Sequence, residues 1–119
     1  MIKVSDYIIQ RLEKEVKHIF TIPGGGCIHL IDSLGNSNIE VIANLHEQGS
    51  GICAEAYSQY TNNIGVVLVT TGPGGTNAIT PITSAWLDSI PLLVLALSLI
   101  HISEPTRQAE ISYAVFCLK

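Results

Sequence analysis

Ile39-Glu40-Val41-Ile42-Ala43-Asn44-Leu45-His46-Glu47-Gln48-Gly49-Ser50-Gly51-Ile52-Cys53-Ala54-Glu55-Ala56-Tyr57 is where a short apolar strand hands over to a small-residue helix, with a carboxylate at the joint. Residues 39–43 are β-branched enough to extend, whereas Ala54, Ala56 and Tyr57 belong to a helix expected from about residue 50 to residue 60. Glu47 then falls in the crevice beyond the carboxyl end of a strand, where open α/β sheets place their ligands, and the positive end of the helix favours its charge. The same residue also reads as a surface glutamate that only completes a helix N-terminus, since acidic residues are common in first turns.

Downstream, residues 66–71 (Val-Val-Leu-Val-Thr-Thr) show no polar alternation, as expected of a strand covered on both faces. Gly72-Pro73-Gly74-Gly75 follows at its carboxyl end, and Thr76 or Asn77 is placed to cap one helix carrying Thr80, Ser84 and Trp86 toward Ser89. No Lys-Ser/Thr pair follows these glycines, so the loop is not a phosphate-binding P-loop; an ordinary strand-to-helix turn is the plain alternative. Residues 91–96 form a fourth strand. Upstream, Ser5 is placed to cap a first helix whose apolar residues Tyr7, Ile8, Leu12 and Val16 recur at helical spacing. Residues 18–22 read as the first strand, followed by Pro23-Gly24-Gly25-Gly26 and a short helix over 27–34 stopped by Gly35. The triple glycine invites a dinucleotide fingerprint, but His29 stands where the third glycine is required. His18 and His29 have no partner at ligand spacing and read as surface or interface histidines. Strands and helices alternating at these intervals predict an α/β fold, a parallel sheet with helices on both faces and right-handed crossovers.

With 119 residues, 47% hydrophobic and 13% charged, and a formal net charge of -4, the chain holds one modest core and is too apolar to be disordered. Lys3, Arg11, Lys14 and Lys17 are scattered, which argues against nucleic acid as a partner. The longest apolar run, 90–100, contains Pro91 and Ser98 and is too short to span a bilayer. Met1-Ile2-Lys3 leads into a polar amphipathic segment, not an apolar signal core, so a cytoplasmic location is expected. Cys27, Cys53 and Cys117 form no metal-ligand spacing and read as reduced thiols.

Three motifs in order, His46-Glu47-Gln48, then residues 66–78 with Gly72-Pro73-Gly74-Gly75-Thr76-Asn77, then residues 85–94 with Asp88-Ser89-Ile90-Pro91, resemble the N-terminal, pyrimidine-binding domain of thiamine diphosphate-dependent enzymes. Within that superfamily the likeness is to the acetolactate synthase large-subunit group, and it runs from about residue 2 to residue 96. The resemblance implies that thiamine diphosphate lies between this domain of one subunit and the diphosphate-binding domain of another. It implies that Glu47 hydrogen-bonds a ring nitrogen of the aminopyrimidine and promotes its imino tautomer. Pro23, Gly24 and Gly25 would line cofactor and subunit interface, Gly72, Pro73, Gly74 and Asn77 would shape the pyrimidine side, and His46 and Gln48 would flank the substrate. It further implies a small 2-oxo acid substrate taken through carbon–carbon ligation or decarboxylation, a homodimer or tetramer through the cofactor interface, and Mg²⁺, with or without FAD, in a full-length parent. The Gly-Asp-Gly…Asn motif that would hold the diphosphate and Mg²⁺ is absent from this chain, so no metal ligand is assigned and the chain alone is expected to be inactive.

The chain departs from the family pattern in two places. The glycine usual between the first helix and the next strand is missing, with Glu15-Val16-Lys17-His18 running straight through. From Leu97 the likeness stops, and residues 97–119 resemble one translated frame of a transposase-type sequencing adapter. We therefore expect a truncated domain over 1–96, an artefactual tail over 97–119, and a last strand, 92–96, left without its neighbours. A reading of a different class, a non-catalytic α/β interaction or regulatory module with a structural Glu47, is separated from the enzyme by whether the gene continues into a Gly-Asp-Gly…Asn motif.

Overall fold

The computed structural model describes residues 2–98 and 112–117. Its five-stranded sheet has the order β2-β1-β3-β4-β5, where β1 is His18–Thr21, β2 Glu40–Ala43, β3 Gly65–Val69, β4 Leu92–Ser98 and β5 Ser112–Cys117. The first four strands are parallel, with Phe20 opposite Val67 and Thr21 opposite Leu68 across the central β1–β3 pair. The helices are α1 Val4–Leu12, α2 Ile28–Gly35 after a 3-10 turn Gly25–Cys27, α3 Glu47–Thr61, α4 Pro73–Asn77 and α5 Ile79–Leu87.

Strand residues alternate between two cores, as the period of a β-strand demands. Ile19, Val66 and Leu68 pack with Ile9, Leu30 and Leu34 under α1 and α2, while Phe20, Val67 and Val69 pack with Ala54, Ala78 and Ala85 under α3, α4 and α5. Every residue of β3 is buried, which is why its sequence carries no polar alternation. The α3 helix lies close on β3 because Gly65 leaves room: a Cβ there would overlap the Ala54 carbonyl.

Several local expectations need correction. Ser5 does not cap α1; Lys3 occupies the cap position, and the Ser5 hydroxyl is buried, accepting from Ser33 Oγ at 2.9 Å. Ile9 replaces Tyr7 on the buried face, and Tyr7 is exposed. The missing glycine is accommodated by ending α1 at Leu12 in right-handed backbone, with the Glu15 and Val16 amides both donating to the Leu12 carbonyl. The predicted single helix after β3 is two, α4 and α5, so Thr76 and Asn77 lie inside α4 and cap nothing. β4 runs on to Ser98, and it is not an unpaired edge: β5 pairs with it antiparallel, Leu95 opposite Val115. The remainder of the tail, 99–111 and 118–119, lies outside the described residues.

Candidate functional site

β2 lies on one side of β1, and β3 and β4 lie on the other, so the strand order reverses between β1 and β3. Connections leaving the two central strands diverge there and open a crevice at their carboxyl ends. Three segments meet at this edge: Pro23-Gly24-Gly25-Gly26 after β1, Leu45-His46-Glu47 after β2, and Gly72-Pro73-Gly74-Gly75 after β3.

α3 starts at Glu47, not at Ser50. His46 is its cap, in extended backbone (φ -154°, ψ 143°), and its Nδ1 accepts from the Gln48 amide at 3.2 Å. That contact turns the His46 ring back on the helix start. Glu47 therefore occupies the first helical position, where free amides and the helix dipole favour an anion.

Its carboxylate is held asymmetrically. Oε2 accepts from Asn77 Nδ2 of α4 at 3.1 Å. Oε1 faces Gly74, where an added Cβ would lie 3.5 Å from it. The Asn77 amide foremost, then the residue's own backbone N–H, hold the carboxyl below its ordinary 4.5 against an opposing push from partial burial; His46 adds a smaller lowering.

Thr70, just past β3, ties the glycine loops together. A Cβ on Gly24 would come within 2.8 Å of its Cβ, one on Gly26 within 3.0 Å of its Oγ1, and one on Gly74 within 2.9 Å of its Cγ2. Glycine is needed at these positions because both loops close on one side chain. Gly24 and Gly74 are thus brought together through Thr70, and Glu47, held by Asn77, joins them beside Gly74. Pro23, Gly25, Gly72 and Pro73 stay exposed on the rim, and a Cβ on Gly25 or Gly72 would meet nothing within 4 Å. Gly72 also takes φ +62°, which turns the chain into α4. His46 is exposed and Gln48 half-buried beside the carboxylate.

Sequence reasoning missed Thr70, whose only signal was a Thr-Thr pair closing an otherwise apolar strand. It also missed Asn44 as a site neighbour: at the end of β2, Asn44 donates to Cys53 Sγ at 3.6 Å and buries an Oδ1 that has no partner. Among the described residues no three or more His, Cys, Asp or Glu side chains gather as a metal site would require. Nor is any helix among them long and apolar enough to cross a membrane. A carboxylate with Oε2 held by Asn77 and Oε1 facing Gly74, beside a glycine-lined edge, can share a proton with the nitrogen of a planar heterocycle.

Residues 2–111 match the family described as "Thiamine pyrophosphate enzyme, N-terminal TPP binding domain". The chain is 48% identical over 86 residues to the mitochondrial acetolactate synthase of Schizosaccharomyces pombe, 71% of this chain and 13% of that protein. It is 47% identical over 92 residues to the acetolactate synthase large subunit of Lactococcus lactis, covering 76% of this chain and 16% of the relative. Against the acetolactate synthase isozyme 3 large subunit of Escherichia coli it is 40% identical over 98 residues, 81% of this chain and 17% of the relative. The chain thus spans less than a fifth of the length of these relatives.

Proposed function

Since the chain belongs to the thiamine pyrophosphate enzyme N-terminal TPP-binding domains, we propose that it supplies the pyrimidine-binding half of the cofactor site in a thiamine diphosphate-dependent enzyme. That enzyme joins carbon to carbon on 2-oxo acids in the manner of acetolactate synthase. The observation carrying this reading is the Glu47 carboxylate, with Oε2 on Asn77 and Oε1 facing Gly74 at the reversal point of the sheet.

The residues present fit the pyrimidine end of the cofactor. Glu47 offers an oxygen to a ring nitrogen, and a Cβ on Gly25 or Gly72 would meet no described residue beyond its chain neighbours within 4 Å. When bound, thiamine diphosphate supplies the carbanion chemistry; this chain's share is to hold and move a proton at Glu47 Oε1. Pro23, Gly24, Gly25, Gly72, Pro73 and Gly74 present backbone to the ring, while His46 and Gln48 stand on the substrate side. No described residue is assigned to Mg²⁺ or FAD, and we place both with the remainder of a full-length enzyme. Half a cofactor site does not turn over, hence the chain alone is inactive. Exposed apolar residues at the same edge, Ile28, Leu45 and Ile79, support a second subunit of a homodimer or tetramer closing over it. The free thiols Cys27 and Cys53 accord with a reducing cytoplasm.

The test uses a full-length protein containing this domain. With pyruvate and thiamine diphosphate it should form acetolactate, and Glu47→Gln should lower kcat by about 10²–10⁴-fold, the range of a lost acid–base group. A variant with undiminished turnover would remove Glu47 from this role.

A further inference from the structure

α3 and the α4–α5 segment meet along a seam with a regular period. Glu47, Gly51 and Glu55 lie four residues apart on one face of α3, where side chains stack. Opposite them stand Asn77, which donates to Glu47; Pro81, whose ring a Cβ on Gly51 would strike; and Ser84, whose Oγ donates to Glu55 Oε1 at 2.7 Å. Glu55 is 7% exposed and Gly51 and Pro81 are buried, so this seam is a fixed contact and not a surface coincidence. Its uppermost pair lies at the carboxyl edge of the sheet.

We propose that Asn77 is a positioning residue: anchored by the seam beneath it, its amide fixes the Glu47 carboxylate in one orientation, with Oε2 engaged and Oε1 presented to the ligand. This rests on the functional reading above and adds to it that Asn77 acts through Glu47 and not by touching the ligand. An amide suits the task chemically. Facing a carboxylate it presents NH₂, and if the carboxyl gains a proton the amide can turn and accept through its own oxygen. An aspartate there would put two like charges together, and an alanine would leave the Glu47 side chain free to change rotamer.

The surroundings isolate this contact. Among the described residues His46 is the one titratable neighbour acting on Glu47; β3, the 23–26 loop, α4 and α5 carry none. Asn77 is the foremost cause of the lowered Glu47 carboxyl, ahead of the residue's own backbone N–H, so the titration responds to the loss of Asn77.

The experiment is a ¹³C-carboxyl and ¹⁵N side-chain NMR titration of the 119-residue chain, with circular dichroism checking the fold. In the unsubstituted chain the Asn77 Nδ2 protons should shift with the Glu47 titration. Asn77→Ala should move that titration upward toward its ordinary value, and Asn77→Asp further upward. Ser84→Ala, which removes a hydrogen bond of the seam away from the carboxylate, should lower stability and leave the titration in place. Asn77 protons indifferent to Glu47, or an Asn77→Ala chain with native dichroism and an unmoved titration, would overturn the proposal. The former needs no substitution, so a variant that fails to fold does not rescue it. Should Asn77 govern the titration while Glu47→Gln keeps full turnover, the functional reading falls and the positioning stands. The reverse pattern removes the positioning alone.

Discussion

Glu47 was legible as a candidate because its position, between an apolar strand and a small-residue helix, is a one-dimensional property. Its partner was not: Asn77 lies 30 positions away and reaches the carboxylate through a helix break that its own sequence hides. Thr70 was hidden because its importance lies in two loops closing on it. Gly74→Ala tests that closure. The new Cβ would sit 2.9 Å from Thr70 Cγ2, closer than side-chain atoms tolerate. We expect a loss of about 1–3 kcal/mol, the usual cost of overpacking, in urea unfolding. The carboxyl itself gives a pH signature. Its folded-state value is depressed, so its stabilising contribution is present above the ordinary 4.5 and is lost as pH falls through the folded value. The stability difference between the unsubstituted chain and Glu47→Gln should accordingly be larger near neutrality than in acid, and modest, because the group is part-exposed and screened. A difference that grows toward low pH would show that the carboxyl is not held as described.

Elements were read well where packing and propensity agree, and poorly where they do not. Gly49 and Gly51 are weak helix formers, which pushed the expected start of α3 to Ser50; the structure accepts them because Gly51 lets Pro81 approach. Likewise Ser5, Thr76 and Asn77 are cap-type residues whose side chains are used elsewhere, Ser5 on Ser33 and Asn77 on Glu47. Gly51→Ala isolates the seam as an element-scale contact. Its Cβ would strike the buried Pro81 ring, so α5 must shift from α3 at a cost of about 1–3 kcal/mol. Chemical denaturation measures the loss. The same variant should disturb Asn77 amide resonances, because the pairs of the seam are linked; an unchanged midpoint would mean that the helices are free to part.

The whole molecule follows from two apolar faces on a parallel sheet, and that arrangement was readable because uninterrupted strands such as β3 have no other explanation. The far edge was not readable. β5 supplies an antiparallel partner where the sequence suggested an open edge, and the physical demand it meets is that backbone groups of β4 be paired. A chain cut after Ser98 should expose that row of donors and acceptors and self-associate more readily than the full 119 residues, as read by light scattering during size exclusion. Equal monodispersity would show that β5 contributes nothing to edge protection. All these scales converge on one carboxylate at the reversal point of the sheet. The most direct test is the exchange of the thiazolium C2 proton for deuterium in a full-length protein carrying this domain, with and without Glu47→Gln. The account predicts exchange slowed by about 10²–10⁴-fold in the variant with cofactor still bound; an exchange rate equal to that of the unsubstituted protein would contradict it.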